Sequence, residues 1–224
     1  MVRSMTAQLG LRERKKRRTQ QLLSDTARRL FSERGFEQVS IAEIAREAEV
    51  SEQTVFNYFS TKEDLVYSGL EAFEDQLLTT IRARPPGQPV IAAFGDFILE
   101  PRGLLAAKDD AAAGELMSLT RMIAASPALL AREQQILARY TDALAQLIAG
   151  ETGSRAGDVR PYVVANALIG VHRALIAYVR ERLEAGASDR RRLARQVRQR
   201  GENALALLSD GLGDYAAKRQ KGDR

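Results

Sequence analysis

No cysteine occurs among the 224 residues, so neither disulfides nor thiolate metal sites exist. Tryptophan is absent, and His172 is the single histidine. A multi-histidine metal site within one chain is thereby excluded, and no residue set calls for a metal or a cofactor. No serine–histidine–carboxylate order stands out, and the paired carboxylates sit on helix faces that read as solvated. An enzyme has no residue to rest on. No run of about 18 uncharged apolar residues appears, so no membrane span is expected. Met1 to Gly10 lacks an apolar stretch followed by a cleavage site. These absences lead us to expect a cytoplasmic chain. What is present is 45% apolar residues, enough to bury a core, in a length that holds one small and one larger domain. The net charge of +5 permits nucleic-acid binding without requiring it.

The most informative stretch runs from Ser40 to Lys62. Ser40 with Glu43 three residues on forms a capping box that opens a short helix. Ile41, Ile44, Ala45 and Ala48 give that helix one apolar face. Glu49 and Val50 make the turn. Ser51 is a second N-cap and opens a helix from Glu52 to Asn57. Val55, Tyr58 and Phe59 anchor it, while Glu52, Gln53, Thr54 and Asn57 point outward. Thr61 with Asp64 starts the next helix. Two capped helices around so short a turn form a helix-turn-helix, whose second helix is shaped for the major groove. By position, Gln53 and Thr54 face base edges, with Glu52 able to reach a cytosine amino group. Ser40, Ser51, Tyr58 and Lys62 lie where backbone contacts would form. A ligand-free surface hairpin is the plainer alternative.

Residues 12 to 18 carry six cations against one acid, Glu13. They head a helix that continues through Leu22, Leu23, Ala27, Leu30 and Phe31 and ends at Gly35. Cations at a helix N-terminus oppose its dipole, so local stability does not account for them. A polyanion does, through counterion release. Most charge runs are merely solvated faces. Beside a helix-turn-helix, Arg14, Lys15, Arg17 and Arg18 read as a flexible arm on DNA backbone or minor groove.

Gly35-Phe36, Val39-Ser40-Ile41, Ile44-Ala45, Ala48, Val50-Ser51, Thr54-Val55-Phe56, Tyr58-Phe59 and Lys62-Glu63-Asp64-Leu65 together resemble the DNA-binding head of the tetracycline-repressor (TetR) family of bacterial regulators. The match covers about residues 14 to 70. It departs at Glu49, where the family usually has glycine. A left-handed residue other than glycine costs roughly 1 kcal/mol, and Glu49 adds a negative charge near the DNA face. Beyond residue 70 the likeness is one of length and helical layout.

The remainder reads as helix throughout: Thr61 to Ala83, Val90 to Leu99, Asp109 to Ala125, Ser126-Pro127 to about Ala149, Asp158 to Ala185, and Ser188 to about Gly211. Pro85-Pro86-Gly87 and Pro101-Arg102-Gly103 are breaks. The glycine-rich Gly150 to Gly157 lacks the lysine-serine/threonine ending of a phosphate loop and follows a helix, so it reads as a connector. His172 lies mid-helix among Ile169, Val171 and Leu175. It suits a core or an interface, and it could also donate to a ligand.

These patterns predict an all-α chain. A three-helix DNA-binding head occupies residues 12–60, and a helical ligand-binding and dimerisation domain occupies 61–213. The resemblance implies a homodimer through residues 158–211, release from a palindromic DNA operator by a small-molecule effector, and repression. Phe94, Phe97, Leu116, Leu119, Met122, Ile123, Ile169 and His172 would wall a mostly apolar pocket, and core packing accounts for each of them equally well. The competing readings are a regulator without a small-molecule ligand, and a helical protein-interaction module whose basic arm binds acidic partners.

Overall fold

The structure, a computed structural model, describes residues 10–107 and 111–212. Among the described residues every regular element is a helix, as expected. The chain forms two compact units that meet in sequence at Ser68 and Gly69.

The head begins with α1 (Leu11–Arg34), followed by α2 (Ile41–Glu47), α3 (Glu52–Phe56) and α4 (Lys62–Val66). Helix α1 buries Leu23, Ala27, Leu30 and Phe31 of the face its periodicity predicts, but Leu22, expected there too, is 48% exposed. It stops at Gly35, whose φ of 86° suits glycine and whose N–H bonds the Phe31 carbonyl at 2.8 Å. Phe36 then packs on Phe31, with ring centroids 5.0 Å apart. Ile44, Ala45, Val55, Phe59 and Leu65 complete the head's core. The basic residues are not on a flexible arm. Helix α1 is regular from Leu11, so Arg14, Lys15, Arg17 and Arg18 stand exposed on its first turns.

Sequence periodicity suggests one helix over Thr61 to Ala83, but the chain breaks there. Helix α4 ends at Tyr67, and Gly69 turns left-handed (φ 92°) before the next helix starts. Only glycine takes that backbone at little steric cost. Helix α4 packs on α1 and stays with the head, so the units divide at Ser68 rather than at Ser60.

The body comprises α5 (Leu70–Ala83), α6 (Val90–Ile98), α7 (Gly103–Ala106), α8 (Ala111–Ala125), α9 (Pro127–Thr152), α10 (Arg160–Glu184) and α11 (Arg190–Leu212). The single turn of α7 has no counterpart in the sequence reading. The predicted start of α8 at Asp109 and the end of the second domain at residue 213 lie outside the described residues. Helix α9 opens with Ser126 capping Leu129 and proline at its first position, then runs past Gly150 to a left-handed Gly153. Helix α10 is the axis of the unit, packed against α9, α11, α8 and α6. Gly201 of α11 marks a close approach, since a Cβ there would collide with Leu99 and Leu175. The Arg84 side chain is almost fully buried. It bonds the Ile81 and Gln88 carbonyls and pairs with Glu151, tying the end of α5 to the end of α9.

Helix α10 is also long and apolar enough to cross a membrane by length and composition alone, with an 18-residue window of mean hydropathy 1.5. One third of that window is buried within the unit. Its open side carries Tyr162 and Val163, 50% and 55% exposed, followed by exposed Asn166, Gly170, Ala174 and Ala177. Leu207 of α11 is 80% exposed.

Candidate nucleic-acid interface

The helix-turn-helix is assembled by side chains that close its own helix ends. Ser40 Oγ accepts the Glu43 N–H at 3.2 Å, and Glu43 returns a carboxylate oxygen to the Ser40 N–H at 2.8 Å. The Ser40 N–H and the Ser40 hydroxyl, both donating to that carboxylate, hold the Glu43 carboxyl below its ordinary pKa. Ser51 Oγ accepts the Thr54 N–H at 3.1 Å and shares a hydrogen with Thr54 Oγ1 at 2.8 Å. A second reciprocal box joins Thr61 to Asp64. Between the first two caps, Glu49 takes φ 55°, the left-handed turn the sequence reading assigned to it. It is the one residue other than glycine with positive φ among those described. Its N–H bonds the Arg46 carbonyl at 3.2 Å, and the next N–H, of Val50, reaches the Ala45 carbonyl at 2.9 Å.

The strain at Glu49 makes a stability prediction. Left-handed backbone costs a residue with a Cβ roughly 1–2 kcal/mol. Glycine loses about 0.5–1 kcal/mol more in chain entropy on folding. Glu49→Gly is therefore expected to stabilise the head by about 0.5 kcal/mol, read as a raised denaturant midpoint at unchanged slope. A lowered midpoint would mean that the Glu49 side chain makes a contact outweighing the strain.

Helix α3 buries Val55 completely, with Phe59 just beyond it nearly so. This fixes which side faces out. Glu52, Gln53 and Asn57 are exposed, while Thr54 and Tyr58 are half-buried. Gln53 Nε2 donates to Asn57 Oδ1 at 3.3 Å, which sets the two amides side by side. That bond leaves Gln53 its carbonyl oxygen and a second N–H, the pair an adenine edge accepts.

Lys62 has a different first duty from a backbone contact. Its Nζ donates to the Phe36 and Val39 carbonyls at 3.0 and 3.2 Å and sits 4.2 Å from the centre of the Phe36 ring. One ammonium hydrogen remains beyond those two bonds.

With this geometry in place, comparison with known proteins is informative. Residues 23–67 match the model of the bacterial regulatory proteins of the tetR family, and residues 104–213 match the MftR C-terminal domain. The chain belongs to the TetR family. It is 32% identical to the transcriptional regulator TcmR of Streptomyces glaucescens over 153 residues, 64% of this chain and 65% of that protein. It is 27% identical to MftR of Mycobacterium tuberculosis over 172 residues, 74% of this chain and 80% of that protein. Among solved structures it resembles Salmonella enterica GusR, with TM-score 0.51 and 18% identity over 88% of this chain and 96% of that one. FadR of Bacillus halodurans gives TM-score 0.52 and 16% identity over 84% and 94%. The two structures establish a shared fold.

As a TetR-family regulator the protein binds DNA, and its head has one feature that sequence reading missed. Phe56 is 49% exposed on α3, beside Asn57. An aromatic residue in an apolar run reads as core, and only the buried direction of Val55 and Phe59 shows that Phe56 must point away. An exposed phenylalanine on a groove-shaped helix suits the methyl group of thymine.

The eight candidate pocket residues of this TetR-family body divide in two. Phe94, Phe97, Ile123 and Ile169 are buried in the core, whereas Leu116, Leu119, Met122 and His172 keep part of their surface. Two hollows open elsewhere. One of about 280 Å³ lies at the α10–α11 turn, around Arg182, Ser188 and Arg192. One of about 420 Å³ lies at the glycine-rich connector, around Ser154, Arg155, Asp158 and Arg160. None of the eight candidates lines either. At the connector Asp158 bonds Arg160, which pulls the Asp158 carboxyl down to about 2, so the two charges cancel locally.

Proposed function

We propose that the protein is a repressor that binds a palindromic operator as a homodimer and leaves it when a small, mostly apolar molecule enters the body. The observation that carries this reading is the outward face of α3: Gln53, Phe56 and Asn57 exposed together on a helix closed by Ser51 and rooted by Val55. That face has a groove-reading chemistry and no internal role. Arg14, Lys15, Arg17 and Arg18 on α1 supply phosphate contacts, and Ser40, Ser51, Tyr58 and the spare hydrogen of Lys62 position the head on the backbone.

The exposed side of α10 supports dimerisation. A stripe of glycine, alanine and valine with Tyr162 lets a second helix approach closely, and a second copy would cover it. A dimer places two recognition helices one DNA turn apart, roughly 34 Å, which matches an inverted repeat. The effector acts by binding the body arrangement that spoils this spacing more tightly than the one that keeps it, because equal affinity for both shifts nothing.

Gln53→Ala tests the reading face. A bidentate glutamine–adenine contact discriminates by about 1–3 kcal/mol. The variant is expected to lose roughly 5- to 150-fold per operator half-site while its affinity for random duplex stays nearly unchanged. Equal loss on both duplexes would remove Gln53 from base readout.

A further inference from the structure

Four helices of the body bring their aromatic residues together around the single histidine. The Phe73 ring of α5 stacks on His172 of α10 at 5.4 Å and on Tyr140 of α9 at 5.7 Å. It meets Phe97 of α6 edge-on at 5.2 Å. Among the described residues, neither nitrogen of His172 has a hydrogen-bond partner, and desolvation alone moves its pKa, down to about 4. The residue nevertheless keeps part of its surface. A histidine serving only to pack would have its nitrogens bonded or enclosed. This one is a neutral imidazole with one donor and one acceptor, neither of them bonded, in an apolar setting. The cation nearest to the cluster, Arg102, lies over the Phe97 ring at 3.9 Å and is paired with Glu100 at 3.1 Å. Its Nε is buried without a hydrogen-bond partner, and Arg139, 5.9 Å from the Tyr140 ring, is paired with Glu74 at 2.8 Å.

We propose that His172 is the polar contact of the effector site, and that the effector is an uncharged, largely apolar molecule carrying a hydroxyl or carbonyl group that this imidazole bonds. The proposal rests on the effector reading above and gives that effector its chemistry. An ionised ligand is disfavoured because Arg102 and Arg139, the cations beside the rings, are already paired with Glu100 and Glu74, and the buried Nε–H of Arg102 alone would not replace its lost hydration. A hydrocarbon is disfavoured because it would cover both nitrogens without bonding either.

Three probes of one shape test this with the full chain: 2-naphthol, naphthalene and 2-naphthoate. The absence of tryptophan leaves naphthol fluorescence free of indole background, and the lone histidine contributes a single imidazole Cε1–H signal in NMR. A purely apolar cavity prefers naphthalene, the most apolar of the three. We expect the reverse order: 2-naphthol binding about fivefold more tightly than naphthalene, 2-naphthoate weakest, and the His172 signal shifting with naphthol. His172→Phe should invert the preference to naphthalene while still binding both. A variant that keeps the naphthol preference, or a His172 signal that no probe moves, overturns the proposal. Duplex binding is measured separately without probe, so failure here is distinct from failure of the DNA-reading assignment.

Discussion

Replacing Arg14, Lys15, Arg17 and Arg18 together by glutamine is expected to weaken binding to every duplex by about a thousandfold per bound protomer near 0.1 M salt, because each protomer loses four phosphate contacts. The same replacement should flatten the plot of log affinity against log salt by up to about 3.6 units per bound protomer, since each neutralised phosphate contributes roughly 0.9. The fold itself should not suffer. These residues are exposed on the first turns of α1, where cations oppose the helix dipole, so the melting temperature should hold or rise slightly. Loss of affinity with an unchanged salt slope would return these residues to an ordinary solvated face. Loss confined to one sequence would mean that they read bases.

The second large effect is a pH dependence of stability carried by His172. Burial lowers its pKa from 6.5 to about 4 in the folded chain, with no partner offsetting the desolvation. In the unfolded chain it takes a proton near its ordinary value. Stability from keeping the imidazole neutral is therefore fully present above about pH 6.5. It declines as pH falls from there toward 4, and is gone below the folded pKa. A shift of this size corresponds to about 3 kcal/mol per chain. The carboxylates with lowered pKa, Asp158, Asp189 and Glu43, act in a more acidic window, because their unfolded values are 3.8, 3.8 and 4.5. His172→Phe keeps a ring against Phe73 and removes the proton site. Denaturant titrations at about pH 7 and about pH 4.5 should show the wild-type chain losing most of this increment and the variant losing little. Equal losses would mean that His172 is already solvated in the folded chain.

The parts legible in sequence are those decided within a few residues. The capping pairs at Ser40–Glu43, Ser51–Thr54 and Thr61–Asp64 are local chemistry, and all three form in the structure. The left-handed turn at Glu49 is readable for the same reason: the short link between α2 and α3 demands it. What sequence did not convey depends on partners far away along the chain. Lys62 is drawn to carbonyls 26 and 23 residues earlier. Arg84 meets Glu151 across 67 residues. The break at Gly69 interrupts an apolar period that could equally have run on, and α4 stays with the head because α1 offers it a surface. Phe56 shows the limit of hydrophobicity as a guide. Its type says core, and only the packing of Val55 and Phe59 says otherwise. The aromatic cluster at His172 joins residues from four helices, so no spacing rule could assemble it.

Whether α3 reads DNA sequence in pairs is tested most directly by selection of duplexes by the purified chain from a fully random pool. The account predicts that the bound pool converges on one inverted repeat whose half-sites lie about one helical turn apart, and that Gln53→Ala relaxes the same base in both halves. A bound pool that stays random, while still being released by salt, would contradict it.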